Sequence, residues 1–220
     1  MIHIRYKKVL ISLGGTFEPI DSVRGITNKS SGKMGLALAK QAYIRGADVT
    51  LIAANVSVEI SPLFNVIRVE TAEQMAEAIF NNVGDFDIFI STAAVSDFEF
   101  MNKHDGKISS DSSFNIDLRP TLKIIRKIKN INPDVFLVGF KAEFNMSYEG
   151  LVQSARNQIA DSESDLVVVN DISNESSTFG SDNSEVLIVD NVGIVSLSLS
   201  SKNVIAEKII NIISKKIYYM

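Results

Sequence analysis

The sequence predicts an α/β protein of three layers, with a mainly parallel sheet, an inserted flap loop and an appended β-hairpin. Short apolar, β-branched runs alternate with amphipathic segments of helical period, the pattern of right-handed βαβ units covering both faces of a parallel sheet. One polar stretch, residues 99–113, has no hydrophobic period and is longer than an ordinary connection, as lids or disordered loops are. Near the C-terminus two more apolar runs are joined through Asp190-Asn191-Val192-Gly193, a turn that suits a hairpin.

Each element has its own signal. Val9-Leu10-Ile11-Ser12-Leu13, halted by Gly14-Gly15, reads as a buried strand. Met34, Leu38 and Ala42 recur on one helix face, and Arg45-Gly46 supplies a basic last turn and a glycine stop. Residues 48–53 form the next strand. Thr71, with Gln74 three positions on, makes a capping box ahead of Met75, Ile79 and Phe80. Strands follow at 87–91 and 135–139, with Leu122, Ile125 and Ile128 marking a third helix between them. Tyr148, Val152 and Ile159 mark a fourth helix before a strand at 166–169. The hairpin pairs 186–189 with 194–199, and Ile205, Ile209, Ile212 and Ile213 form the core stripe of a last helix. No repeat, low-complexity tract or linker divides the chain, so residues 1–220 are expected to form one domain.

Composition narrows the function. The 220 residues are 45% hydrophobic, enough for a sizeable core at a length where folding hides roughly 70–75% of the surface. The 22 basic and 26 acidic residues give a net charge of −4, without the concentrated basic surface that nucleic acid requires. With no cysteine, disulfides, thiolate zinc sites, iron–sulfur clusters and cysteine nucleophiles are excluded. His3 and His104 leave almost nothing for a catalytic triad or a histidine-rich metal site. No apolar stretch of signal-peptide length opens the chain before charges recur at Lys7 and Lys8, and no segment approaches ~18 uncharged apolar residues. A cytoplasmic protein with no nucleic-acid or membrane partner is therefore expected.

Parallel sheets take ligands outside the carboxyl ends of their strands, where strand order switches. Those ends are Gly14-Gly15-Thr16, Ala53-Ala54-Asn55, Thr92-Ala93-Ala94-Val95-Ser96-Asp97, Phe140-Lys141-Ala142-Glu143 and Asn170-Asp171. All are small or polar, so backbone can approach a ligand, although each alone also has the composition of a plain βα turn. Gly14-Gly15 lacks the third glycine and the prompt helix of a dinucleotide fingerprint. Instead Ser30-Ser31-Gly32-Lys33-Met34-Gly35 opens the first helix, offering amides, hydroxyls and an ammonium at its positive end. It departs from a P-loop, because Gly25 lies seven residues before Gly32 and Met34 replaces the magnesium-binding hydroxyl. On this turn alone two readings stand: a phosphate cradle, or a capped helix with a solvated lysine. Asp97 suits hydrogen bonds to a ribose or base, or the start of a turn. Lys103, His104 and Lys107 are solvated unless their loop closes over an anion. Phe140 by residue type belongs to the core.

The motifs themselves resemble a known family. Leu13-Gly14-Gly15-Thr16-Phe17-Glu18-Pro19-Ile20-Asp21-Ser22-Val23-Arg24, then Ile26-Thr27-Asn28-Lys29-Ser30-Ser31-Gly32-Lys33-Met34-Gly35, closely resembles the opening of phosphopantothenoylcysteine synthetases, the phosphopantothenate–cysteine ligases. The likeness continues at Thr92-Ala93-Ala94-Val95-Ser96-Asp97-Phe98, Lys107-Ile108, Val138-Gly139-Phe140-Lys141-Ala142-Glu143, residues 165–171 and Phe179-Gly180-Ser181-Asp182, covering nearly the whole chain. The resemblance implies a modified Rossmann-like fold, usually dimeric, in a coenzyme A biosynthesis enzyme that joins 4′-phosphopantothenate to L-cysteine. Such enzymes activate the carboxylate with CTP, or with ATP in many eukaryotic relatives, using Mg²⁺ carried on the nucleotide phosphates. An acyl-nucleotidylate forms with loss of pyrophosphate, and the cysteine amine then displaces the nucleoside monophosphate.

By position, Asn28 matches the family asparagine that holds the acyl intermediate, and Lys107, ten residues after Asp97, matches the essential lysine of the flap. Asp97, Phe140 and Leu122-Lys123-Ile124-Ile125 fall at nucleotide-contacting positions. Gly14, Gly15, Thr16, Ser30, Ser31, Gly32, Lys33, Ser91, Thr92 and Ala93 complete the expected nucleotide-binding set, with no protein-held metal. Several positions depart from the common pattern. Phe17 stands where many bacterial members have arginine, Ser109-Ser110 follow Lys107-Ile108 in place of further lysines, and Arg119-Pro120-Thr121-Leu122 replaces the common bacterial sequence. Asn157, Gln158, Asp161 and Ser162 occupy a helix where bacterial members place lysines near the triphosphate. CTP is therefore expected to be preferred, but weakly. Bacterial members are often fused behind a flavin-dependent decarboxylase; here the first strand at Val9 leaves no room for one, so a separate decarboxylase chain is expected. A nucleotide-cofactor oxidoreductase lacks support, since both the glycine fingerprint and a Tyr-x-x-x-Lys pair are missing. A non-catalytic nucleotide-binding module is disfavoured by the presence of both Asn28 and Lys107.

Overall fold

The computed structural model describes residues 4–102, 104–109, 111, 113–173, 178 and 180–218. His3, Lys103, Ser110, Ser112 and Phe179, each part of a sequence expectation, lie outside them. Strand β1 (Lys8–Leu13) leads into a small antiparallel ladder, β2 (Phe17–Pro19) with β3 (Gly25–Thr27), and then into helix α1 (Lys33–Ile44) and β4 (Asp48–Ala53). β5 (Asn65–Arg68), α2 (Ala72–Asn82) and β6 (Ile88–Ser91) follow. A second small ladder, β7 (Phe98–Phe100) with β8 (Leu118–Pro120), closes the base of the flap. The chain continues through α3 (Ile128–Ile131), β9 (Phe136–Glu143), α4 (Tyr148–Ser162) and β10 (Leu166–Asp171). It ends in β11 (Asn183–Val189), β12 (Ile194–Ser201) and α5 (Lys202–Tyr218).

Eight strands form the central sheet in the order β12-β11-β10-β9-β6-β1-β4-β5. The six from β10 to β5 are parallel, and β11 and β12 are added antiparallel at one edge. After β1 the chain moves outward to β4 and β5, then returns to place β6 on the other side of β1. The switch in direction therefore lies between β1 and β6.

Val9 to Leu13 are all buried because helices cover both faces. Ile11 and Leu13 pack with Leu38, Ile209 and Ile213 under α1 and α5. Leu10, Ile52, Phe89 and Leu137 face the other way, toward Met75 and Ile79 of α2 and Ile128 of α3. Val152, Ala155 and Ile159 of α4 cover Val167 and Val169 on that second face. The helix starts follow local chemistry. Thr71 and Gln74 make the capping box of α2, and the buried Glu18 carboxylate accepts from Ala72 N at 2.7 Å, placing an anion at the helix's positive end.

The expected third helix is corrected to a 3₁₀ turn, Ile124–Lys127, that passes into the four residues of α3. Its apolar residues recur every three positions, the repeat of a 3₁₀ helix. Three-residue strands β2, β3, β7 and β8 and the four-residue β5 were not expected, and the flap proper begins beyond Phe100. The hairpin is as expected, its turn held by Asp190 Oδ1, which accepts from Val192 N and Gly193 N at 2.7 Å each.

Candidate functional site

A cleft lies over the carboxyl ends of β1, β6, β9 and β10, beside the switch point. Its floor is tied together by Gly14 and Gly15. Gly15 N donates to Asn55 O at 2.9 Å, Ala94 N donates to Gly14 O at 2.8 Å, and Thr16 N donates to Ala94 O at 3.2 Å. Gly14 has a φ of 87°, and a Cβ there would stand 2.5 Å from Asn55 O. At Gly15 it would stand 2.6 Å from the Asn28 carbonyl oxygen. The Thr16 hydroxyl is buried and accepts from Ser96 N at 2.8 Å. Gly14, Gly15 and Thr16 line neither of the two cavities in the cleft. In this structure they brace the cleft floor: Gly15 N and Thr16 N donate to neighbouring strand ends, and Gly14 O accepts from one.

The first cavity, about 170 Å³, lies at the start of α1 and is lined by Ser30, Ser31, Gly32, Lys33, Thr92 and Ala93 among others. Gly32 caps the helix in the left-handed region, φ 78°, with no side-chain cap bond, so the first turn offers backbone amides to this cavity. Lys33 does not turn inward. Its Nζ donates to Gly180 O and pairs with Asp182, each at 2.7 Å. The Lys33 ammonium in turn holds the Asp182 carboxyl below the usual carboxylate range. Lys202 Nζ donates to Ser181 O, and burial, with Lys33 nearby, lowers its pKa below the usual lysine value. The Thr92 hydroxyl donates to Ser12 O at 2.6 Å.

The second cavity, about 480 Å³, is bounded by Asn28, Ser91, Asp97, Lys123, Phe140 and the inner face of α4. Leu122, Ile124 and Ile125 also line it. Asn28 Nδ2 donates to Ala94 O at 3.0 Å, and among the described residues its Oδ1 receives no donor. The Asp97 and Lys123 side chains form an ion pair at the rim, and Thr121 N donates to Asp97 O at 3.0 Å. Phe140 borders both cavities while packing against the α1 and α5 core, so it serves core and cleft together. Gathered around the cleft are thus Asn28, the Ser30 to Lys33 turn, Ser91, Thr92, Ala93, Asp97, the Leu122 to Ile125 segment and Phe140.

Lys107 is not brought there. It is exposed and lines neither cavity. Its neighbours are tied to the turn between β2 and β3: Ser22 N donates to Gly106 O at 3.1 Å, Ile108 N to Asp21 Oδ2 at 3.1 Å, and Arg24 Nη2 to Ile108 O at 2.8 Å. Asp21 is the hub, its side chain buried and also accepting from Val23 N, Arg24 N and the Arg24 guanidinium. The guanidinium and these amides hold its carboxyl well below the usual range, against the opposing effect of burial. Read for its role, this anchor escapes sequence reasoning, since a partner 87 residues away leaves no local signal. Among the described residues no three histidine, cysteine, aspartate or glutamate side chains gather where they could hold a metal. The hydroxyls, amides and ammonium groups present suit an anionic ligand and any ion it carries.

Fold and cleft together define a doubly wound α/β protein of the Rossmann-like class, with paired cavities at the topological switch. The chain belongs to the family of the DNA/pantothenate metabolism flavoprotein C-terminal domain, whose model matches residues 4–217. It is 46% identical over 211 residues to the coenzyme A biosynthesis bifunctional protein CoaBC of Thermococcus kodakarensis, covering 95% of this chain and 51% of that protein. A crystal structure of the C-terminal domain of a CoaBC protein matches with a TM-score of 0.83 and 27% identity, covering 100% of each chain. A Cab2 variant in complex with phosphopantothenate-cysteine shares the fold, with a TM-score of 0.78 and 19% identity over 98% of this chain and 88% of that one. The family is the one the sequence motifs resemble. The chain spans about half the length of the curated relatives it matches. Among the described residues no helix is long and apolar enough to cross a membrane.

Proposed function

We propose that the protein is a phosphopantothenate–cysteine ligase of coenzyme A biosynthesis, acting on 4′-phosphopantothenate, L-cysteine and a nucleoside triphosphate. The observation that carries this reading is the position of Asn28: a carboxamide anchored on Ala94 O at the edge of the second cavity, next to a helix start that faces the first. Family membership and the complex formed by the Cab2 variant support it. Attack of a carboxylate on an α-phosphorus needs mainly alignment and charge neutralisation. The α1 amides supply dipoles for phosphate, and Asn28 can hold a carbonyl oxygen without itself becoming charged. On this reading Lys107 reaches the phosphates when the flap leaves the β2–β3 turn. The donor set fits Mg²⁺ held on the nucleotide phosphates, where the ion would offset their negative charge.

CTP is the better substrate on this reading, by a small margin. The inner face of α4 offers Asn157, Gln158, Asp161 and Ser162, and Asp161 is already paired with Arg126 at 2.7 Å. A two-fold dimer is part of the proposal. Val23, Ile26, Phe98, Met101 and Leu118, all exposed on or beside the two small ladders, supply an apolar surface near the site.

The test is pyrophosphate release with phosphopantothenate, cysteine and each nucleotide in turn. Cysteine-dependent product with either nucleotide is expected, and no product with both would overturn the proposal. A kcat/KM favouring ATP by about tenfold would reverse the nucleotide preference. Light scattering at about 24 kDa, the mass of one chain, would reject the dimer.

A further inference from the structure

Strand β9 ends between the two cavities. Ala93, Ala94, Phe140, Lys141 and Ala142 line both, and among the described residues Lys141 is the charged member of this shared wall. Successive strand residues point to opposite faces. Phe140 packs toward α1 and α5. Lys141, beside Val169 in register, is on the α4 face, where Val169 meets the α4 cluster.

The other cations of the cleft are tightly engaged. Lys33 pairs with Asp182 and Arg126 with Asp161, both at 2.7 Å, Lys123 pairs closely with Asp97, and Lys202 is bonded to Ser181 O. Lys141 has a looser partner, Glu143, at 3.5 Å, and that carboxylate also accepts from Ser154 Oγ of α4. The Lys141 ammonium can turn to a ligand at the smallest loss of protein contact. Across from it α4 brings no lysine. Gln158 lies against β9 so closely that a Cβ at Gly139 would stand 2.0 Å from its Nε2, and among the described residues its carboxamide has no hydrogen-bond partner.

We infer that Lys141 is a resident cation of the cleft that holds the phosphate chain of the nucleotide between β9 and α4, in addition to the Lys107 ammonium brought by the flap. The inference rests on the ligase reading above and adds to it a residue that supplies positive charge where the cavity-lining residues of α4 supply none. The partner is a linear polyphosphate anion, so inorganic tripolyphosphate is a probe that needs neither base nor turnover.

Calorimetric titration of the full chain with CTP and with tripolyphosphate tests this, comparing the parent with Lys141→Gln, Lys141→Arg and the double variant Lys141→Gln, Gln158→Lys. Lys141→Gln should weaken both ligands by about tenfold, as loss of one charged hydrogen bond does, and should flatten the dependence of affinity on salt. Lys141→Arg should recover most of the loss, and Gln158→Lys, returning a cation from the opposite wall, should recover part. Affinity for cytidine, which has no phosphate, should not change. A Lys141→Gln protein within twofold of the parent, or one equally weakened toward cytidine, would overturn the assignment. The two proposals separate cleanly. If the parent forms amide product while Lys141→Gln binds normally, the ligase reading survives and this inference falls. If Lys141 governs tripolyphosphate binding in a protein that makes no product, the reverse holds.

Discussion

Asn28 and Ala94, 66 residues apart in sequence, meet through a 3.0 Å hydrogen bond that fixes the loop after β3 to the end of β6. The bond uses one of the two Nδ2 hydrogens, so the carboxamide fixes the loop with one N–H and keeps the other to donate to a ligand oxygen.

Asn28→Ala should leave pyrophosphate release partly intact while slowing amide formation by roughly 3–4 kcal/mol, the cost of one lost oxyanion-type donor. Single-turnover reactions that follow pyrophosphate and amide separately are the measurement. Equal losses in the two steps would mean that Asn28 merely braces its loop.

Lys107 is exposed and forms no ion pair among the described residues. Lys107→Ala should therefore leave the melting temperature unchanged yet suppress pyrophosphate release even when cysteine is omitted, since an ammonium delivered by the flap acts on the phosphates. Normal pyrophosphate release by this variant would remove Lys107 from the mechanism.

Asp21 predicts how the flap responds to acid. Its folded pKa is depressed, so its contribution is fully present above the unfolded carboxylate value of about 4 and is lost as pH falls below that toward the folded value. Proteolytic cleavage within residues 104–109 should stay slow from pH 8 down to about pH 4.5, then accelerate. In Asp21→Asn cleavage should be fast throughout. A parent protein whose flap loosens between pH 5 and 7 would show that another group controls the anchor.

Gly35→Ala should destabilise the protein even though alanine favours helix by about 1 kcal/mol over glycine. The new Cβ would stand 2.6 Å from both Leu13 Cβ and Thr92 Oγ1, forcing α1 away from β1. A loss of about 1–3 kcal/mol is expected from such overpacking. Gly84→Ala, with nothing within 4 Å, is the control and should be nearly neutral. If Gly35→Ala melts higher than the parent, the close packing of α1 on β1 is not a constraint.

The long buried strands were readable in the sequence because helices cover both faces, which permits uninterrupted runs such as Val9 to Leu13. The ladders of β2 with β3 and β7 with β8 were not, since three residues per strand are too few to show a periodicity. In the site, the turn from Ser30 to Gly35 announced a helix start with polar groups. The brace made by Gly14 and Gly15 did not announce itself, because a ligand-facing turn and a close backbone crossing call for the same residue. Lys33 read as a free ammonium, whereas its partner Asp182 lies 149 residues on. Lys141 stood among the expected strand ends, but nothing local singled it out as a cation for a ligand. It ends a buried strand, and only the tertiary arrangement puts cavities on both sides of it.

The wall of Ala93, Ala94, Phe140, Lys141 and Ala142 belongs to both cavities, so ligands in the two would touch the same residues from opposite sides. A ligand that stiffens the wall from one side reduces the ordering left for a ligand on the other, so each should tighten the second by the same factor in whichever order they are added. Reciprocity of this kind needs no movement of the sheet. It follows from two sites sharing one boundary, and it would give the protein a preference for being either empty or doubly filled.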